Sequence, residues 1–229
     1  MNIVFEGITG TGKTTLINRI YTRMIENNLN VYKISEIDNV SPLSPVLERM
    51  YQTDTFLRMK KNISTIISES LILAADYQYM NEYTKKLSGY KLFDRDLFTE
   101  IVYQKYFLEL EYGKNNKFYK NWEKCLLYNR KKIDKVIYIE APLSLCIKRN
   151  EARDNREFSS QDVEILEKLS LLQKEYVINY CNKEKIDLLF IDGSLNINDN
   201  IEIVYNFIIN NQTVNKNLLC QQSEKNNFN

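Results

Sequence analysis

Residues 7–14 read Gly-Ile-Thr-Gly-Thr-Gly-Lys-Thr, a G-x-x-x-x-G-K-[ST] string with no departure from the pattern. It lies between a short apolar run, Asn2 to Glu6, and residues 13–27, where Leu16, Ile17, Ile20 and Met24 recur at helical spacing. A strand, a glycine-rich loop and a helix in that order restrict the chain to the opening unit of a parallel α/β sheet. The glycines let successive backbone amides turn inward around phosphate oxygens, and the helix N-terminus adds partial positive charge. Lys13 is placed to reach β- and γ-phosphates, and the Thr14 hydroxyl to ligate magnesium. Gly7, Thr9, Gly10, Thr11, Gly12, Lys13, Thr14 and Thr15 therefore form the expected cradle for ATP or GTP. The competing reading is a tight turn with no ligand. The chain has only six glycines and places three of them in this loop, which favours a backbone purpose.

The 229 residues suit one large domain or two small ones, and no linker divides them. Hydrophobic residues are 44% and charged residues 27%, as in ordinary globular chains. Thirty-one basic residues balance thirty acidic ones, so no nucleic-acid partner is expected. No apolar run approaches a membrane span, and Met1 leads straight into a strand-like run without a leader pattern. No membrane partner and a cytoplasmic location are therefore expected. The absence of histidine removes Ser-His-Asp chemistry and most catalytic zinc designs. Cys125, Cys146, Cys181 and Cys220 form no CxxC pair, so they read as reduced thiols rather than a zinc site.

Further strands are predicted at Val31 to Ile34, Lys91 to Phe93, Val136 to Ile139 and Ile186 to Ile191. Between them the spacing predicts helices starting at Ser44-Pro45, over Asn62 to Leu87, at about 97–110 and 116–130, after Pro142, over 160–182 and over 198–210. Alternating strands and helices predict an α/β fold with a five-stranded parallel sheet flanked by helices, three layers in all. We divide the chain into one domain, residues 1–210, and an Asn/Gln-rich tail, 211–229, expected to be disordered.

The glycine loop alone does not choose among kinase, switch and motor. Asn182-Lys183-Glu184-Lys185 lacks the aspartate of a guanine-binding N-K-x-D string. A second candidate site, Asp94-Arg95, ends the third strand at the sheet edge where open α/β folds bind ligands. Arg149, Arg153 and Arg156 form a third cluster, a short Arg-rich lid at about 149–159 of the kind phosphoryl transfer needs to exclude water. Interleaved Glu151, Asp154 and Glu157 also fit a plain solvated face.

At this point the order of segments resembles the thymidylate kinase family of P-loop nucleoside monophosphate kinases, over about residues 1–210. EGITGTGKTT is similar to that family's opening, and SESLILAADYQYMNEY to its long helix. DRDLFTEIVYQ is similar in register to its D-R-Y-x-x-S-x-x-A-Y-Q, which places Asp94, Arg95, Thr99, Tyr103 and Gln104 on matching positions. VIYIEAPLSLCIKR resembles the strand and helix that lead to its lid. Deoxynucleoside kinases share the architecture.

The resemblance implies a P-loop NTPase fold, ATP as phosphoryl donor and Mg2+ as cofactor, with Thr14 and Asp94 supporting the metal. It implies that Arg95 holds the acceptor's phosphate and Gln104 faces its base. Arg49 matches loosely an acceptor-phosphate arginine, and Glu36 stands where deoxynucleoside kinases place a carboxylate base. Because the loop carries no Lys or Arg between Gly7 and Gly12, the transition-state arginine is expected from the lid: Arg153 first, then Arg156. The catalytic set is thus Lys13, Asp94, Arg95, Arg153 and Arg156. Thr9 stands where the family has an acidic residue, Leu73 where it stacks an aromatic on thymine, Tyr77 where it reads thymine with arginine, and Asp96 where it has an aromatic. SEIDNVSPLSP replaces an R-E-P-G-G-T-like run. These departures all fall on the acceptor half. The expected reaction is ATP-dependent phosphorylation of a nucleoside monophosphate, dTMP first, with a deoxynucleoside or another small molecule as the alternative acceptor. A regulator without catalysis is the third reading. A homodimer is compatible with the resemblance.

Overall fold

The computed structural model describes residues 1–53, 63–114, 116–155 and 157–210. Arg156, Cys220 and the tail 211–229 lie outside the described residues. The elements run β1 (Asn2–Glu6), α1 (Lys13–Glu26), β2 (Val31–Ile34), α2 (Ser44–Thr53), α3 (Ile63–Lys85), β3 (Tyr90–Asp94) and α4 (Leu97–Tyr112). They continue α5 (Lys117–Tyr128), β4 (Lys135–Glu140), α6 (Leu143–Asp154), α7 (Ser160–Glu184), β5 (Asp187–Asp192) and α8 (Ile197–Ile209).

All five strands are parallel, in the order β2-β3-β1-β4-β5. The period of two along each strand divides the core. Ile3, Phe5, Ile137 and Ile139 face a layer completed by α1 and α8. Val4, Val136 and Tyr138 face the opposite layer, built on α3, α4, α5 and α7. Burial on both faces explains why the strands read as unbroken apolar runs. Among the described residues, no helix is long and apolar enough to cross a membrane.

The sheet changes direction at β1, which pairs with β3 on one side and β4 on the other. The loops leaving the carboxyl ends of all five strands converge there, the usual ligand crevice of such sheets. Arg149 and Arg153 lie on α6, and only residues 155–159 separate α6 from α7. Phe158 packs near Ile8 and Leu166, and its amide donates to Glu151 Oε1 at 2.9 Å. The Phe158 ring gives this charged segment an apolar anchor.

Candidate active site

Glu6 ends β1 with a fully buried carboxylate, and every partner it has is a donor. The Asp96 amide donates at 2.9 Å, the Thr99 hydroxyl at 2.7 Å and Gln173 Nε2 at 2.9 Å. This one group fixes the start of α4 and the middle of α7 to the edge of the sheet. Burial nonetheless pushes the carboxyl up to about 7, against the pull of Arg95.

Arg95, just beyond β3, has φ 73°, in the left-handed region that a bulky side chain rarely adopts. Its amide donates to Phe5 O at 3.0 Å. Its guanidinium donates to Thr99 Oγ1 at 3.1 Å and pairs through Nε with Glu36 Oε2 at 3.2 Å. Backbone strain held in place by neighbouring bonds is common at functional sites. Glu36, two residues past β2, reaches across the crevice to make that pair. Burial pushes its carboxyl upward, while Arg95 and Lys13 pull it back.

The loop after β1 closes tightly against α6. A Cβ on Gly10, which has φ +84°, would stand 2.4 Å from Cys146 O. Thr9 donates to Asn150 Oδ1 at 2.7 Å, and Arg149 caps the loop by donating to Gly10 O and Gly193 O, both at 3.1 Å. Lys13 begins α1 and donates its Nζ hydrogen to Ile8 O at 2.8 Å. Thr14 donates to Asp94 Oδ2 at 2.6 Å. That juxtaposes two hard oxygen ligands, a set that suits Mg2+ completed by phosphates and water. Among the described residues no group of three or more His, Cys, Asp or Glu is arranged to hold a metal ion.

These groups surround one cavity of about 1030 Å³. Thr9 to Thr15 line it on one side, Glu36, Asp94, Arg95 and Tyr103 on the second, Arg149 and Arg153 on the third. A volume of that size suits a nucleotide together with a second ligand. Arg153 faces it from α6 but pairs with the neighbouring Asp154, Nε to Oδ1 at 2.6 Å, and is largely exposed.

Other expected site residues lie elsewhere. Gln104 is buried, accepts from Ser70 at 2.8 Å and donates to Glu69 at 3.2 Å, and it lines neither cavity. Leu73 is a core residue of α3, and Arg49 is exposed on α2, both away from the lining. Tyr77 lines a separate small notch beside Glu36 and Arg95. The reading of the sequence did not single out Glu6, Asn150 or Gln173. The signal for Glu6 was present, since a carboxylate closing a strand buried on both faces must find donors.

Burial pushes the Lys13 ammonium down to about 7, helped by the Arg95 charge, while Asp94, Glu6 and Glu36 oppose the shift. Near pH 8–9 the amine of the empty enzyme is thus largely neutral, and a triphosphate held against it restores the proton. Binding of ATP at that pH is expected to take up about one proton. Calorimetry in buffers of different ionisation heat measures this. A binding heat independent of buffer at pH 8–9 would contradict it.

A five-stranded parallel sheet with a glycine loop, a buried Lys13 and a Thr14–Asp94 pair defines the class of P-loop phosphotransferases. Over residues 5–202 the sequence matches the family described as thymidylate kinase, and the chain belongs to that family. It is a nucleotide kinase. No curated protein matches the sequence. Among solved structures it is similar to deoxyadenosine kinase from M. mycoides with bound dATP, with a TM-score of 0.67 and 19% identity over 91% of this chain and 99% of that one. The same kinase with products dCMP and dCDP gives a TM-score of 0.64 and 20% identity over 91% and 98%. At such identities the likeness concerns the fold.

Proposed function

We propose that the protein transfers the γ-phosphoryl group of Mg-ATP to the 5′-hydroxyl of a deoxynucleoside, with Glu36 as the base. The observation that carries this reading is the Glu36–Arg95 pair facing the phosphate loop across the large cavity. A hydroxyl acceptor needs a carboxylate to take its proton, whereas a phosphate acceptor does not. Arg95 would hold Glu36 in place and neutralise part of its charge. For a dianionic acceptor, Arg95 would first have to release Glu36, and the carboxylate would stand beside the incoming phosphate. A carboxyl pushed upward by burial is also the better base near neutral pH. The M. mycoides deoxyadenosine kinase, similar in fold, has dCMP and dCDP bound as products, and a deoxynucleoside monophosphate is what phosphorylation of a nucleoside yields.

Thr14 and Asp94 would hold Mg2+, which neutralises charge on the phosphates. Lys13 and the loop amides would bind the β- and γ-phosphates. Residues 1–210 act as one kinase domain in this reading, with 149–159 as the lid. The three described cysteines are free thiols, and we place the reaction in the cytoplasm, where such thiols persist.

Arg153 is the arginine we assign to the transition state. Its present partner is the adjacent Asp154 rather than the loop, so its contribution would arise on closure. Arg153→Ala is therefore expected to lower kcat by roughly thirty- to a thousandfold with little change in either KM. Steady-state kinetics decide this, and an intact kcat would remove Arg153 from the mechanism.

The family match itself favours a second reading, dTMP as acceptor, with Arg95 turning from Glu36 to the acceptor phosphate. An ATP-consumption screen over the deoxynucleosides and their monophosphates separates the two. Turnover with nucleosides is expected. Turnover confined to monophosphates would replace the first reading by the second.

A further inference from the structure

Asn150 lies one turn from the end of α6, only 1% exposed, against the loop that follows β1. Its Nδ2 donates to Cys146 O at 2.8 Å, and its Oδ1 accepts from the Thr9 hydroxyl at 2.7 Å. The direction of both bonds is fixed, because a carbonyl oxygen only accepts and must face the amide hydrogens. The Thr9 hydrogen is therefore directed to α6 rather than into the cavity.

The loop holds its shape by other bonds. Thr11 Oγ1 donates to Ile8 O at 3.0 Å, and Lys13 Nζ donates to the same oxygen at 2.8 Å. Packing does not call for an amide either. Cys146 seats α6 here against Ile8 and Leu166, and an apolar side chain would complete such a contact. A buried amide is costly unless both its ends are paired, and here both pairs fix one helix against one loop. The contact leaves no slack, since a Cβ on Gly10 would stand 2.8 Å from Asn150 Nδ2.

What the pinned helix carries is Arg153, one turn further on, which lines the large cavity. Arg153 pairs with Asp154 of the same helix, so that pair travels with α6 and does not fix it to the loop. Arg149 does clamp α6, to Gly10 O and Gly193 O, but from an exposed position where water competes for the same carbonyls. Asn150 is the buried half of the clamp.

We infer that Asn150 is a positioning residue. Through the Thr9 hydroxyl it pins α6 to the phosphate loop, and so sets the point from which Arg153 reaches the transferring phosphoryl group. The inference rests on Arg153 as the transition-state arginine, and not on which acceptor is used. A misplacement of about 1 Å in such a group can cost about a hundredfold in rate.

The test is a pair of double-mutant cycles, run with Mg-ATP and the acceptor turned over fastest in the screen above. Asn150→Leu removes both hydrogen bonds; Thr9→Val removes only the one donated to Asn150 and keeps the branched shape. Each is expected to lower kcat by about ten- to a hundredfold, with KM of Mg-ATP within about threefold of the parent's. Thr9→Ser, which keeps the hydroxyl, is expected to turn over at least about fivefold faster than Thr9→Val. In an Arg153→Ala background the same two substitutions are expected to cost less than about threefold more, because the group they aim is gone. An equal loss in both backgrounds, a loss carried by KM of Mg-ATP, or a parent-like kcat in both single variants overturns the inference and leaves Arg153 in its role. An intact kcat in Arg153→Ala alone removes the transition-state assignment, and the inference with it, and leaves the kinase reading standing. The two substitutions lie on opposite sides of one bond, so the failure of one to fold leaves the other to decide.

Discussion

Lys13→Ala is expected to lower kcat by at least about a hundredfold while the protein stays folded. Lys13 sits at the first position of α1, where the loop amides and the helix N-terminus converge. Its Nζ turns back to Ile8 O in this structure, so the side chain already lies along the floor of the loop. Charge builds on the transferring phosphoryl group and its bridging oxygen as the bond to ADP breaks, and a buried ammonium there meets little screening. Fold stability comes from elsewhere. Leu16, Ile17, Ile20 and Met24 anchor α1 against the sheet, and none of them is touched. The Lys13→Met variant keeps most of the buried stem and is expected to melt within about 4 °C of the parent, equivalent to about 1 kcal/mol for a chain of this size. Turnover near the parent's in either variant would remove the loop from the mechanism.

Glu36→Gln is expected to lower kcat by about a hundred- to ten-thousandfold with a nucleoside acceptor. The amide keeps the shape and can still accept from Arg95, but it cannot take a proton. The pH dependence carries the same information with a definite sign. The Glu36 carboxyl lies above its ordinary range because it is buried, so the fraction ionised falls as pH drops through a value higher than a free glutamate's. Parent kcat is expected to decline on that acidic side, and the residual rate of Glu36→Gln to lose that decline. Under a monophosphate acceptor the outcome reverses. Glu36 would then repel the substrate, and its neutral replacement would lower acceptor KM and leave kcat within about tenfold, because no general base is removed.

Much of the architecture was legible in the sequence because local rules and the fold agree. The strands are short apolar runs separated by helical stretches, so the five-stranded parallel sheet follows from alternation alone. The phosphate loop was equally plain, since its glycines are conformational necessities. The acceptor half was less legible, for a physical reason. Asn129-Arg130-Lys131-Lys132-Ile133-Asp134 reads as an ordinary basic loop, yet Lys131 turns inward to Asp96 while Lys132 is 86% exposed. Nothing within the loop distinguishes the two lysines; the choice is made by Phe93, Tyr77 and Asp96 on other elements. Gln104 illustrates the converse. Its register on α4 fits the family's base-reading position, but α3 brings Ser70 and Glu69 to it instead. Glu6 could be read as needing donors, but the donors themselves, Thr99 and Gln173, lie 93 and 167 residues away and only the fold brings them to it.

The central claim is that the acceptor is a hydroxyl facing Glu36 rather than a phosphate facing Arg95. The most direct measurement is the product formed from Mg-ATP labelled in its γ-phosphate, when a deoxynucleoside and its own 5′-monophosphate are offered together at equal concentration. The label is expected in the 5′-monophosphate, the product of phosphorylating the nucleoside. Label appearing in the diphosphate, with the nucleoside untouched, would contradict the account.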